Sequence, residues 1–184
     1  MAVGHYQFEA IHPFTDGNGR TGRILNVLFI CEQQLLRQPI LHLSRHINLT
    51  RSDYYDGLTS VTNQSRWQDW LIYLIDGVRE TAEWTVKKAE ALIQLQEDTA
   101  EFVRRRGGKI YSHELVEVIL RQPYTRITDV VEAGLAKRET ASIYLKRLRD
   151  IGVLDEVVIG REKLFLNRKM RDLVVSDEHT FQPY

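Results

Sequence analysis

The sequence predicts a mainly α fold in two parts: a helical bundle, then a winged helix-turn-helix with a small β-hairpin wing. Three observations carry this. Residues 1 to about 100 keep apolar positions at helical spacing with few breakers, the stretch RRRGG at 104–108 interrupts them, and the remainder reads as helices, a turn and two short strands. The expected boundaries are therefore 1–106 for the bundle, 107–175 for the second module and 176–184 for a tail.

The first part is punctuated where the chain must turn. After Arg20 the run TGRILNVLFICEQQLLR places Ile24, Leu25, Val27, Leu28 and Leu35 as the buried face of a helix. A turn follows near Gln38 and Pro39, then a helix around Tyr54, then long helices from Trp67 to about Arg105. Trp67, Trp70, Tyr73, Leu74 and Val78 form a stripe expected to be core. Three positive charges and a glycine pair at Arg104 to Gly108 read as a hinge.

In the second part Ser112 suits the cap of a helix running through HELVEVILRQ, which Pro123 ends. A helix then leads to a turn at Gly134, a second helix spans about Lys137 to Asp150, and two strands meet around Gly160. On the second helix Ala141, Tyr144, Leu145 and Leu148 make an inner stripe. Arg138, Ser142, Lys146 and Arg149 fall largely outside it, where they could contact phosphates or base edges of DNA in a major groove. Winged helices also serve as protein-docking or dimer modules, and the basic excess is modest.

Composition bounds the function. The 184 residues, 43% of them hydrophobic, suffice for one ordinary domain or two small ones. A single cysteine excludes a disulfide scaffold and fits a reducing compartment; Cys31, inside an apolar helix, reads as a core filler. No run is long enough to span a membrane, and MAVGHYQFEA lacks the regions of a signal peptide. A cytoplasmic bacterial protein is the expectation. Lys and Arg total 25, as do Asp and Glu, so net charge gives no general nucleic-acid signal.

Chemistry concentrates in His12 to Arg23, HPFTDGNGRTGR. Gly17, Asn18, Gly19 and Gly22 would open the following helix. The first turn of a helix has N–H groups without intrahelical partners and carries roughly +0.5 charge, and glycine lets a phosphate approach the backbone closely. Arg20 and Arg23, three residues apart, project to one side and could each grip a phosphate. Asp16 supplies the hard oxygen that Mg²⁺ prefers, and one or two protein carboxylates suffice for that ion. Pro13 disfavours a helical conformation at His12, which predicts a strand-like or bent segment there. An imidazole titrates near neutral pH and could take a proton from an incoming hydroxyl. Singly these are ordinary loop residues; together they describe displacement at phosphorus. A GxxxxGK(S/T) loop and a GxGxxG after a strand are both missing, and His5 and His12 lack a third partner for zinc.

The segment matches HPFx(D/E)GNGRxxR at every defined position and so resembles the signature of the Fic (filamentation induced by cAMP) family. HYQFEAIHPF, GRILN, RSDYYDGL at Arg51 to Leu58 and WQDWLIYLIDGV at Trp67 to Val78 are similar to its surroundings, and the C-terminal module resembles that of many bacterial members. The resemblance implies a Fic-type helical bundle that transfers AMP from Mg²⁺-bound ATP to a Ser, Thr or Tyr hydroxyl of a target protein. His12 would be the general base and Asp16 the metal ligand. Asn18 and the loop amides would hold phosphate, Arg20 would pair with phosphate, and Arg23 would reach the γ-phosphate. Phe14 would bury its ring to fix the loop. Tyr54 and Tyr55 lie in a stretch lining the adenosine side in family members, with core packing an equal alternative; an Asn is common there where this chain has Thr50. Relatives with a lysine for the second loop glycine transfer a different phosphate, so Gly19 favours AMP.

Family members place several helices and a substrate-positioning hairpin, the flap, ahead of this motif. The resemblance thus implies an N-terminally truncated core, in which nucleotide binding should survive better than transfer and an exposed apolar surface would invite a homodimer. The family's inhibitory (S/T)xxxE(G/N) has no match; Thr128 to Glu132 is followed by Ala133. The competing class is a non-enzymatic protein that binds DNA or a partner through residues 109 to 170. Kinase-like or hydrolytic use of the nucleotide is the other alternative.

Overall fold

The computed structural model describes residues 1–160 and 162–184. Two compact units divide between Val86 and Lys87.

In the first unit α1 (Ala2–Ile11) and α2 (Asn18–Glu32) flank the glycine loop, and α3 (Leu43–Leu49), α4 (Arg51–Gln64) and the start of α5 (Trp67–Arg106) follow. Leu43 and Ile47, Tyr54 and Val61, and Trp70 and Leu74 lie four or seven residues apart, so each helix turns one stripe inward to a shared core. The expected stripe on the start of α5 is thus in that core, with Trp67, Tyr73 and Val78 at its edge. Trp70 also donates its indole N–H to the Ala2 carbonyl at 3.0 Å, which ties α1 to α5. Thr50 separates α3 from α4, its hydroxyl lying 2.9 Å from the His46 carbonyl and 2.8 Å from the Tyr73 hydroxyl.

The expected buried face of α2 is corrected. Asn18, Gly22, Asn26 and Ile30 are the residues it buries, while Ile24, Leu25 and Leu28 are exposed and Val27 is half-buried. Four-residue spacing runs through small and polar positions here, because α1 packs close enough that a larger side chain would not fit at Gly22. Leu35 lies beyond the helix and is exposed, and Cys31 is only half-buried, so neither fills a core.

The second unit takes the rest of α5, a single 3₁₀ turn (Gly108–Ile110), α6 (His113–Leu120), α7 (Ile127–Glu132), α8 (Arg138–Asp150) and α9 (Arg168–Val175), with strands β1 (Tyr124–Thr125), β2 (Asp155–Ile159) and β3 (Glu162–Leu166). Whereas the sequence suggests a division at residue 106, Ala91, Leu95 and Val103 of α5 pack with elements that follow them, which moves the compact boundary earlier. The strands pair antiparallel in the order β1-β3-β2, with Asp155 opposite Leu166 and Ile159 opposite Glu162. Gly160, at φ +63°, stands where the wing turns. Leu115, Ile119, Val130, Ala141, Leu145, Leu148 and Phe165 close the core. The chain is therefore a mainly α-helical bundle followed by a small β-hairpin that matches a wing.

Caps set the ends of these elements. Ser112 Oγ accepts from Leu115 N–H at 3.1 Å, and Asn167 Oδ1 accepts from Met170 N–H at 3.0 Å. The buried Lys88 ammonium donates to the carbonyls of Leu173 at 2.6 Å and Ser176 at 2.9 Å, gathering the free end of α9. Strand β1 has no counterpart in the sequence reading: two residues are too few for an alternating pattern to register.

Candidate functional site

The loop begins where α1 stops. His12 caps that helix at φ 50°, ψ 57°, and its N–H donates to Phe8 O at 3.0 Å. Of the strand-like or bent segment expected at His12, the structure shows the bend. Pro13 blocks the right-handed helical conformation, and a left-handed cap resolves that block while still satisfying a helical carbonyl. Histidine is among the residues that tolerate such a φ best.

Gly17 is the N-cap of α2, at φ +84°, a conformation that side chains resist. Lacking a side chain, it cannot cap the first-turn N–H groups of α2, which stay available to an anion. Its own N–H donates to Asp16 Oδ1 at 2.7 Å. Asp16 Oδ2 in turn meets Arg20 Nη2 at 3.2 Å, both side chains being well exposed. At Gly19 a Cβ would sit 3.2 Å from Arg23 Nη1.

A cavity of about 370 Å³ gathers His12, Asp16, Gly17, Asn18, Gly19, Arg20, Arg23, Tyr54 and Tyr55 on its walls. Nine of the residues singled out from sequence thus converge. Thr15, Ile47, Asn48 and Arg51 also line it and were not anticipated. Arg51 was findable, because three- and four-residue spacing puts it on the same side of α4 as Tyr54 and Tyr55, and its guanidinium stands 5.9 Å from the Tyr55 ring. Ile47 and Asn48 reach the cavity from α3, which no local pattern announces.

Three of the expected roles change. Gly22 does not line the cavity; it is buried against α1, where a Cβ would lie 2.5 Å from Glu9 Oε1 and 3.0 Å from His5 Cε1. Phe14 is 51% exposed, so its ring is not what fixes the loop. Asn18 does that: Phe14 N–H donates to its Oδ1 at 2.9 Å and its Nδ2 donates to Phe14 O at 2.6 Å. With that side chain engaged and 2% exposed, Asn18 can offer an anion only its backbone N–H.

Tyr54 is both core and wall. It is 4% exposed, and its hydroxyl lies 2.9 Å from His5 Nε2. Burial, reinforced by the Glu9 carboxylate, pushes the Tyr54 phenol well above its usual range, so it keeps its proton. Burial also lowers His5 from 6.5 to about 4, with Arg23 acting in the same sense. Glu9 is raised by burial and lowered again by His12 and Arg23. Arg23 thus sits at the centre of the electrostatics of this corner.

Among the described residues no group of three or more His, Cys, Asp or Glu side chains could hold a metal ion. A divalent cation would depend on the Asp16 carboxylate together with oxygens brought by a ligand, a donor set that suits Mg²⁺. No helix of the described residues is long and apolar enough to cross a membrane.

On α8, Arg138 and Lys146 are exposed and Ser142 is half-buried. Arg149 is exposed and takes part in ion pairs. Its guanidinium is paired with Asp150 at 2.7 Å and Glu156 at 2.5 Å.

Comparison with known proteins places these features. Residues 1–30 match the Fic/DOC family, and residues 95–170 match the C-terminal domain of SoFic-like protein adenylyltransferases. The chain is 39% identical over 64 residues to a probable protein adenylyltransferase of Aquifex aeolicus, covering 35% of this chain and 20% of that protein. Over 83 residues it is 34% identical to the protein adenylyltransferase Fic of Aedes aegypti, covering 45% of this chain and 15% of the relative. With the protein adenylyltransferase fic-1 of Caenorhabditis elegans it shares 32% identity over 93 residues, covering 50% of this chain and 15% of the relative. The matches thus span a fifth or less of the length of these relatives. By these matches the chain is similar to the Fic/DOC family at its N-terminal end and to SoFic-like protein adenylyltransferases in its C-terminal domain.

Proposed function

We propose that this protein transfers AMP from ATP to a Ser, Thr or Tyr hydroxyl of a target protein. The observation that carries the reading is the convergence of His12, Asp16, the uncapped start of α2 and the two arginines on one cavity. The relatives, themselves named protein adenylyltransferases, support it.

His12 takes the proton of the attacking hydroxyl as that oxygen bonds to the α-phosphorus. The bond from α-phosphorus to the bridging oxygen breaks, pyrophosphate leaves with the electron pair, and the proton resides on the imidazole until solvent removes it. Asp16 would hold Mg²⁺, which when bound supplies positive charge against the phosphates. The first-turn amides of α2, including those of Asn18 and Gly19, donate hydrogen bonds to phosphate oxygens. Arg20 and Asp16 now neutralise each other. With Mg²⁺ and nucleotide bound, the Arg20 guanidinium would pair with phosphate and the Asp16 carboxylate would hold the cation. Arg23 grips the distal phosphate, and Tyr54, Tyr55 and Arg51 wall the nucleoside end.

Titration with fluorescent ATP tests this reading. Binding should require Mg²⁺ and weaken about tenfold or more in Arg23→Gln, the loss of one charge-assisted contact. Affinity indifferent to both would contradict it.

A further inference from the structure

We infer that His5 is a positioning residue that sets the distance between the two walls of the cavity, an inference resting on the nucleotide reading of that site. His5 lies on α1 and does not line the cavity, yet it touches two of the helices that do, α2 and α4. Its Nε2 is 2.9 Å from the Tyr54 hydroxyl on α4. On its other side the ring is pressed against Gly22 of α2, where an added Cβ would come within 3.0 Å of Cε1 and 3.1 Å of Nδ1. Trp70 lies nearly parallel to it, with planes 7° apart and centroids 6.1 Å apart, and His5 is buried.

The two contacts have different consequences. Gly22 adjoins Arg23 and follows Gly19 and Arg20 by less than one turn, so the His5 ring determines how far the phosphate-facing end of α2 can settle toward α1. Tyr54 carries the opposite wall, and its hydroxyl is held by the same ring. An aliphatic residue at position 5 could fill the space but could not orient the phenol, and the phenol would lose its buried partner. Glycine at 22 follows from the same arrangement: any side chain there would drive His5 off Tyr54 or displace Glu9.

Two substitutions isolate the link. Tyr54→Phe keeps the ring and removes the hydroxyl, and His5→Phe keeps an aromatic plate and removes the nitrogens. In the nucleotide-free protein, Tyr54→Phe should shift the backbone amide resonances of Gly19 to Arg23, and the same substitution in a His5→Phe background should not. Each single variant should weaken Mg²⁺-bound fluorescent ATP about tenfold, the double variant no more than either alone, and His5→Gln, which restores a polar atom near Nε2, should recover most of the affinity. Amide shifts that are equal in both backgrounds, or losses of affinity that add, would overturn the inference. Failure of the parent protein to bind ATP at all would refute the nucleotide reading instead, and the amide shifts would still decide the role of His5.

Discussion

Asn18 grips the backbone of Phe14 with both atoms of its side-chain amide, accepting from N–H at 2.9 Å and donating to the carbonyl at 2.6 Å. The pair imitates a strand-like exchange between residue 14 and a side chain. It closes the loop over four residues while leaving the first-turn amides of α2 without a side-chain cap.

Asn18→Ala is accordingly expected to destabilise the first unit by about 1–3 kcal/mol, since it leaves two backbone groups of Phe14 without partners. Thermal unfolding measures this directly. Asn18→Asp should keep the bond from Phe14 N–H but set a carboxylate oxygen against Phe14 O, and so should not restore the parent stability. Unfolding midpoints equal to the parent for both would show that something else fixes the loop.

Much of this site was legible because it is local. His12 to Arg23 is one stretch of chain, and helix-end physics alone predicts that Gly17 and Gly19 open an anion-binding turn. The winged module was legible for the same reason, with Ser112, Gly134 and Gly160 marking its ends and turns. What escaped was contributed from a distance or hidden by an exchange of roles. Asn48 reaches the cavity from α3. Gly22 reads as a phosphate glycine by position, yet packing against His5 decides its identity. The apolar residues of α2 suggested a buried helix, but their face lies outward and the buried stripe is polar and small. Hydrophobicity registers which residues prefer burial, whereas close helix approach is governed by the residues that permit it.

His5 gives the fold a definite acid response. The folded protein holds it at about 4 against an ordinary 6.5, so between these values the unfolded chain binds the extra proton. Its folded value being depressed, stability is at its fullest above about pH 6.5 and declines as pH falls toward 4, by on the order of 3 kcal/mol over that interval. Glu9, raised by burial, titrates in the opposite sense in the acidic range, which makes the comparison with a variant more informative than the parent alone. Unfolding midpoints between pH 7 and 4.5 should fall less steeply in His5→Phe. Parallel slopes would contradict a buried, neutral His5.

The central claim is that His12 is the base for AMP transfer, and transfer of label from α-labelled ATP tests it most directly. With Mg²⁺ and cell lysate, the parent protein should place label on a target whose intact mass rises by AMP rather than by phosphate. His12→Ala should bind ATP comparably and transfer it about 10² to 10⁴ times more slowly. Label that persists at the parent rate in His12→Ala, or a target that gains phosphate, would contradict the account.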